Sequence, residues 1–366
     1  MNKAYLFRIY PNKEQEEMLA KTFGCCRFLY NIMLDDKIQE YQKTKKMLKN
    51  TPAKYKKEYP WLKEVDSLAL ANVQLHLEAA YRSFFQNPKN GFPKFKSKRK
   101  CRNSYTTNVV NGNITIEDGR IKLPKMTAIK IKQHREIPEG YKLKSVTISR
   151  NSSGKYYASL LYEYTVCENQ TDCKAEATNI LGMDYAMGGM AVLSDGTRCS
   201  YPSYYRKAEE KLSREQRKLS NCEKGSKNYQ KQRKKVALCH EKVRNQRKDF
   251  QHKLSRKLAI QYDAVVVEDL NMKAMSQCLN LGKGIMDNGY GQFLNMLDYK
   301  LKEQGKKLVK VDRYYPSSKI CSKCGKVKQK LLLSERIYKC DCGNVMDRDV
   351  NAAVNLREEG RRLLYA

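Results

Sequence analysis

The chain has 366 residues, 41% of them hydrophobic, which suits two or three domains with cores of their own and excludes a disordered chain. Its 72 Lys and Arg against 39 Asp and Glu leave a formal net charge of +33, far beyond what solubility needs; a field of that size calls for an extended polyanion. No apolar run approaches a membrane span and no signal pattern opens the chain, so the expected partner is nucleic acid, with no membrane, and the expected location is the cytoplasm.

In chain order, Lys3–Tyr10 alternates apolar and polar residues and stops at Pro11, which predicts a strand. Asn12 and Gln15 have the spacing of a capping box, and Leu19, Phe23, Cys26, Tyr30 and Met33 then recur at helical spacing on one face. A second helix is expected over Ser67–Phe85, capped by Asp66 or Ser67, with Leu70, Val73, Leu77, Ala80 and Phe84 buried. The character then changes: Lys94, Lys96, Lys98, Arg99, Lys100 and Arg102 interleave with Phe92 and Phe95, a pattern suited to a phosphate backbone with a base or sugar stacked beside it. From Tyr105 to Tyr164 short alternating runs broken by glycines and Pro138 predict a small β-barrel that takes in Lys3–Tyr10, making the helical module an insertion.

After a polar linker around Cys167–Ala177, Asn179–Asp184 reads as an apolar strand ending in a carboxylate, with 190–196 returning as its hairpin partner. Two long helices follow, Tyr204–Leu219 and Lys231–Ile260; the second opposes the packing stripe Val236, Val243, Phe250, Leu254 and Leu258 to a basic side that includes Arg244, Arg247 and Lys253. Ala264–Glu268 is a β-branched run with an acid at its carboxyl end, expected mid-sheet. A helix over Tyr290–Gln304 and a strand over Lys307–Asp312 complete a mixed α/β sheet of the RNase H kind.

Cys321-Ser-Lys-Cys324 and Cys340-Asp-Cys342-Gly343 place two thiol pairs on two knuckles separated by a hairpin-length insert, the arrangement that lets four thiolates close one structural zinc site. The nine cysteines outside that ribbon show no paired spacing, as expected of reduced thiols in a cytosol. Directly after the second knuckle, Asp347-Arg348-Asp349 leads into the helix-like run Val350–Leu356. An aspartate before a helix is ordinarily an N-cap, and only its upstream partners give Asp349 another role. Those partners are Asp184 and Glu268: three acids at the ends of separate core elements offer the hard oxygen ligands that magnesium takes, and two such ions about 4 Å apart can hydrolyse a phosphodiester.

These same residues carry a resemblance. Gly182-Met-Asp184, Val267-Glu268-Asp269-Leu-Asn271, the ribbon and Asp347–Asn355 resemble the three RuvC-type nuclease blocks of the TnpB (OrfB) proteins of bacterial insertion sequences, related to compact type V CRISPR effectors. Phe23-Gly-Cys-Cys-Arg-Phe28 with Tyr30-Asn31, Gly91–Lys96 and Ser104-Tyr-Thr-Thr107 are similar to the same family, so the match spans nearly the whole chain. The sequence departs from many relatives at Tyr185-Ala186-Met187, where they have Leu-Gly-Leu, and at Ala71, where they often have Gln. The resemblance implies an RNA-guided DNA endonuclease, magnesium-dependent and of RuvC type, that cuts double-stranded target DNA beside a short adjacent motif, its guide RNA coming from a transposon end or a CRISPR array. It implies Asp184, Glu268 and Asp349 as the catalytic triad and magnesium ligands, Cys321, Cys324, Cys340 and Cys342 as zinc ligands, and Arg348 as a nucleic-acid contact. The implied layout is a wedge β-barrel (1–11 and 91–175), a helical recognition module (12–90), a RuvC domain (176–316 and 344–366) and a target-binding zinc ribbon (317–343), in a bacterial cytoplasm and on the nucleoid when DNA is bound. Two rivals compete: a guided or unguided nucleic-acid-binding regulator without cleavage, and a guide-free structure-specific nuclease.

Overall fold

The computed structural model describes all residues but Lys100, 166–176, Met187, 279–281, Leu333 and Ala366; Lys100, Met187 and most of the expected linker therefore lie outside the described residues. The chain divides into two units, Met1–Val166 and Cys167–Ala366.

The first unit begins with β1 (Asn2–Tyr10), whose Tyr5, Phe7 and Ile9 alternate into the core. The capping box forms as the spacing predicts, Asn12 Oδ1 accepting from Gln15 N at 2.8 Å and Gln15 Oε1 from Asn12 N at 2.9 Å, and it opens the single long helix α1 (Lys13–Thr44). A short helix α2 (Pro52–Glu58) and a 3-10 turn (Pro60–Glu64), neither expected from the sequence, lead to α3 (Ser67–Gln86), capped by Asp66. Tyr81, rather than Phe84, closes the buried stripe of α3. Then come β2 (Asn103–Asn108), β3 (Thr115–Glu117), β4 (Arg120–Lys122), β5 (Ile129–Lys132), β6 (Lys142–Arg150) and β7 (Tyr156–Glu163). They form one antiparallel sheet in the order β2-β6-β7-β1-β5-β4-β3, so β1 is a central strand although it lies more than a hundred residues from its partners. Among the described residues β2 and β3 share no register, and the closed barrel expected from the short strands is an open, curled sheet.

The second unit is built on a five-stranded sheet in the order β10-β9-β8-β11-β12. Its strands are β8 (Ile180–Tyr185), β9 (Ala191–Leu193), β10 (Arg198–Cys199), β11 (Ala264–Glu268) and β12 (Lys307–Val311); β8, β11 and β12 pair in parallel, and β9 pairs antiparallel with both β8 and β10. Between them lie α4 (Tyr204–Ser220), α5 (Lys227–Gln261), α6 (Met272–Cys278), α7 (Gly282–Asn288) and α8 (Tyr290–Lys302); after β12 come the hairpin β13 (Ile337–Lys339) and β14 (Val345–Asp347) and the last helix α9 (Arg348–Tyr365). The helix-like run Val350–Leu356 thus lies in the amino-terminal half of an 18-residue helix.

Strand parity assigns the two faces of this sheet. Leu181, Met183, Val265 and Val267 pack with Leu258 of α5 and Phe293, Leu297 and Leu301 of α8, whereas Ile180, Ala264 and Val266 pack with Leu356 of α9. Helix α9 approaches so closely that glycine is required at both contacts: a Cβ on Gly182 would stand 1.9 Å from the carbonyl oxygen of Ala353, and one on Gly360 2.2 Å from Val266 Cγ2.

Candidate active site and metal centre

Asp184 and Glu268 share the parity of Gly182 and Val266, so both fall on the α9 side, one step beyond the registered pair Met183–Val267, at the carboxyl ends of adjacent parallel strands. On that side α9 begins, and Asp349 stands in its first turn. The N-cap is a different residue: Asp347 Oδ1 accepts from the backbone N–H of Asp349 at 3.0 Å and of Val350 at 3.1 Å, which leaves the Asp349 carboxylate free of capping duty. Asp184, Glu268 and Asp349 line one cavity of about 410 Å3, with Arg313, Lys319 and Arg348 on its walls. Tyr314, 85% exposed, is at its mouth. Of the adjacent acids Glu268 and Asp269, Glu268 is the one in the cavity; Asp269 pairs with Lys310 at 3.0 Å and Arg313 at 3.5 Å.

The electrostatics follow from this crowding. Burial, then the charges of Asp349 and Glu268, push the Asp184 carboxyl up to about 7, and burial raises Glu268 as well. Carboxylates that resist ionisation beside one another are those a divalent cation relieves, and hard oxygen donors facing an open cavity fit magnesium with retained water. They do not close into a cage; among the described residues only the four cysteines do so.

Sequence reasoning missed Arg198. Asp184 pairs with Val192 and Val192 with Arg198, so all three form one row across β8, β9 and β10 on the same face. From there Arg198 reaches Asp347 at 2.6 Å and Asp349 at 3.6 Å, clamping the start of α9 over the strand ends. No local pattern marks a residue whose partner is 149 positions away. Tyr290 was missed too: it is 1% exposed, packs 4.5 Å from the ring of Tyr185, and its hydroxyl has no partner among the described residues.

The sulfurs of Cys321, Cys324, Cys340 and Cys342 lie within 4.8 Å of one another. Cys321 is buried, and burial alone would raise its thiol, but the amides of Cys324 and Lys323 and the side chain of Asn344 outweigh that and bring it down to about 6, so it gives up its proton readily to a metal. Tetrahedral thiolate ligation is the chemistry of structural zinc. The Asn residues of the Asp347–Asn355 motif tie this centre to the acids: Asn351 Nδ2 donates to Ile320 O at 2.7 Å while its Oδ1 accepts from Ser322 N at 3.0 Å, and Asn355 Nδ2 donates to the carbonyls of Ser317 and Ile320 at 2.7 Å. One turn apart on α9, both are almost wholly buried and fix the first knuckle.

Of the remaining candidates, Lys94, Lys98, Arg99, Arg102 and Arg244 are exposed and Lys96 is half-buried. Lys253 pairs with Asp249 at 2.7 Å. Arg247 turns inward against Gly289 and Tyr201, its Nε buried, and the Arg348 guanidinium donates to the carbonyls of Leu332 and Glu335.

Residues 161–279 match the OrfB_IS605 family, described as a probable transposase, and 290–356 match the Cas12f1-like TNB domain. Residues 1–46 match a profile described as a helix-turn-helix domain, although β1 and an uninterrupted α1 occupy them here. A protein of Streptomyces pristinaespiralis named "Putative RNA-guided DNA endonuclease" is 35% identical over 98% of this chain and 90% of its own length. InsQ of Escherichia coli K12, named in the same way, is 29% identical over 99% of this chain and 93% of its own. The fold is that of a Cas12f1 chain solved in a Cas12f1–sgRNA–target DNA complex, with a TM-score of 0.64 at 15% identity over 98% of both chains. The chain belongs to the OrfB (TnpB) family of IS605-type proteins.

Proposed function

We propose that the protein is an RNA-guided DNA endonuclease whose second unit carries a RuvC-type, RNase H-like active site. The observation that carries the reading is the convergence of Asp184, Glu268 and Asp349 from two strands and a helix onto one cavity walled by Arg313, Lys319 and Arg348. The names of the two full-length relatives support the RNA and DNA partners, and the charge of +33 supports a polyanionic substrate. On this reading 1–11 and 91–175 are the wedge domain, 12–90 the recognition module, 176–316 with 344–366 the nuclease domain, and 317–343 a zinc ribbon that engages the target.

Asp184, Glu268 and Asp349 hold magnesium; when bound there it supplies an activated water and Lewis-acid stabilisation of the leaving oxygen of a phosphodiester. The chain's own residues set the stage. Arg198 keeps the Asp349 carboxylate turned toward the strand ends, and Asn288 Nδ2, donating to the Tyr185 hydroxyl at 3.0 Å, fixes the residue after Asp184. Arg313, Lys319 and Arg348 present cations to the phosphates flanking the cut. The exposed basic residues Lys94, Lys98, Arg99, Arg102 and Arg244 track the nucleic-acid backbone.

The test is cleavage of target DNA by the protein loaded with its co-purified RNA, with and without added magnesium. Asp349→Asn lowers cleavage on the order of a thousandfold or more while RNA binding is kept. A variant that binds RNA and still cuts overturns the assignment, and wild-type protein that binds but never cuts returns the choice to a binding regulator.

A further inference from the structure

The first unit holds a second cavity, of about 240 Å3, that the nuclease reading does not use. Arg27 of α1, His76 of α3, Lys96 and Arg102 of the basic stretch, and the hydroxyls of Ser104 and Thr106 on β2 line it. Among the described residues no carboxylate does. Asp66, whose charge acts on Cys26 and Tyr105 of this lining, is engaged as the cap of α3, accepting from Leu68 N at 2.9 Å and from the Thr107 hydroxyl.

Lys96 is built into this cavity rather than free on a loop. Asn31 accepts from Lys96 N at 2.8 Å and donates to Lys96 O at 2.9 Å, so the backbone is pinned from both sides. The ammonium then rests 3.7 Å from the centroid of the Tyr30 ring. Burial lowers its pKa, and the groups that oppose this are the thiols of Cys101 and Cys26; His76 is lowered by burial and by Lys96 itself. Among the described residues Arg27, Lys96 and Arg102 form no ion pair. Three cations without an ion pair line one partly enclosed space, and the ligand that complements them is an anion. Two guanidinium forks, one ammonium and two hydroxyls match a phosphate, and the space admits one such group with the edge of its sugar. The residues singled out in Phe23–Phe28, Tyr30-Asn31, Gly91–Lys96 and Ser104–Thr107 thereby acquire one shared purpose.

We propose that this cavity binds a single backbone phosphate of a nucleic-acid strand, held by Arg27, Lys96 and Arg102. The inference rests on the reading of the chain as a nucleic-acid-binding protein and is independent of whether it cuts.

The test uses the full chain without added magnesium or chelator, so that the thiol site is left intact, with fluorescently labelled single-stranded RNA and labelled duplex DNA titrated at graded salt and read for binding alone. Arg27→Gln, Lys96→Gln and Arg102→Gln each weaken binding by about tenfold and lower the salt slope by about one, and the Arg27→Gln/Lys96→Gln pair loses clearly less than the sum because both cations serve one phosphate. Lys98→Gln, on the same stretch but outside the cavity lining, changes affinity less and adds independently to Arg27→Gln. Loss confined to RNA assigns the phosphate to the guide; loss confined to duplex assigns it to target DNA. Unchanged affinity for both ligands, or losses equal to those of Lys98→Gln that simply add, overturn the proposal. Lys96→Arg, which keeps the charge, separates a binding defect from a folding one: its affinity stays near that of the wild type. Because no arm reads cleavage, a failed nuclease assignment leaves the result standing.

Discussion

The four thiols and the three carboxylates of the second unit are both gatherings of like ligands, assembled in opposite ways. The thiols come from two knuckles within 22 residues, with sulfurs that already lie within 4.8 Å of one another. The carboxylates come from positions 184, 268 and 349, and they face an open cavity without closing on a point. The first arrangement excludes water and substrate and suits a metal that holds structure; the second leaves coordination sites open, which chemistry on a phosphodiester needs. The thiol cluster gathers ligands for a metal that would order a small hairpin, whereas the acid cluster depends on the sheet and α9, which are ordered by their own packing.

Removing zinc is the strongest way to break that contrast. Structural zinc contributes on the order of 10 kcal/mol to such a site, so Cys324→Ser, or a strong chelator, unfolds the ribbon. Metal analysis then finds less than one zinc per chain, and limited proteolysis cuts near 320–345 while the rest of the second unit persists. A variant with full zinc content and unchanged proteolysis would show that the thiols do not form the site.

The acid cluster is broken from beneath. Gly182→Ala places a Cβ against the backbone of Ala353 and Arg357, which cannot yield without moving α9 from β8. Overpacking of this kind costs about 1–3 kcal/mol, and here it also carries Asp349 away from Asp184. Urea unfolding should show the stability loss, and cleavage should fall further than the stability change accounts for. Wild-type behaviour in both would mean that α9 does not rest on Gly182.

A smaller, graded effect sharpens the comparison through pH. The Asp184 carboxyl is raised to about 7 from an ordinary value of 3.8, so in metal-free protein the folded state holds the proton more tightly than the unfolded chain. The stability this provides is fully present below the ordinary value and is lost as pH rises through about 7. On the proposed reading magnesium would bind the ionised form, so its thermal stabilisation should be slight near pH 5 and grow through pH 7, each kcal/mol appearing as roughly 2–4 °C. Asp184→Asn removes most of that pH dependence. A magnesium shift that is flat with pH would place the ion elsewhere.

Much of the local structure could be read from the sequence because its causes are local. The Asn12–Gln15 capping box, the Cys321–Cys342 knuckles and the β-branched run of β11 each carry their own signal within a few residues. The short helices α2, α6 and α7 and the strand β2 lack a strong apolar period, and they exist because the surrounding core gives them something to lean on. The barrel reading failed for a related reason: alternation specifies which face of a strand is buried, but not whether the two edge strands find each other.

The sequence by itself determined the ligand types, the polyanion-seeking charge, and the three acids as candidates, since residue chemistry and short spacing are properties of the chain. Only the tertiary structure decided that Asp184 and Glu268 share a face, through the parity and register of β8 and β11, and that Asp347 rather than Asp349 caps α9. It likewise brought in Arg198 from a row two strands away and gathered Arg27, Lys96 and Arg102 around one cavity. Those relations are distances between residues far apart in the chain, and they are set by which strands pair and which glycines let a helix approach.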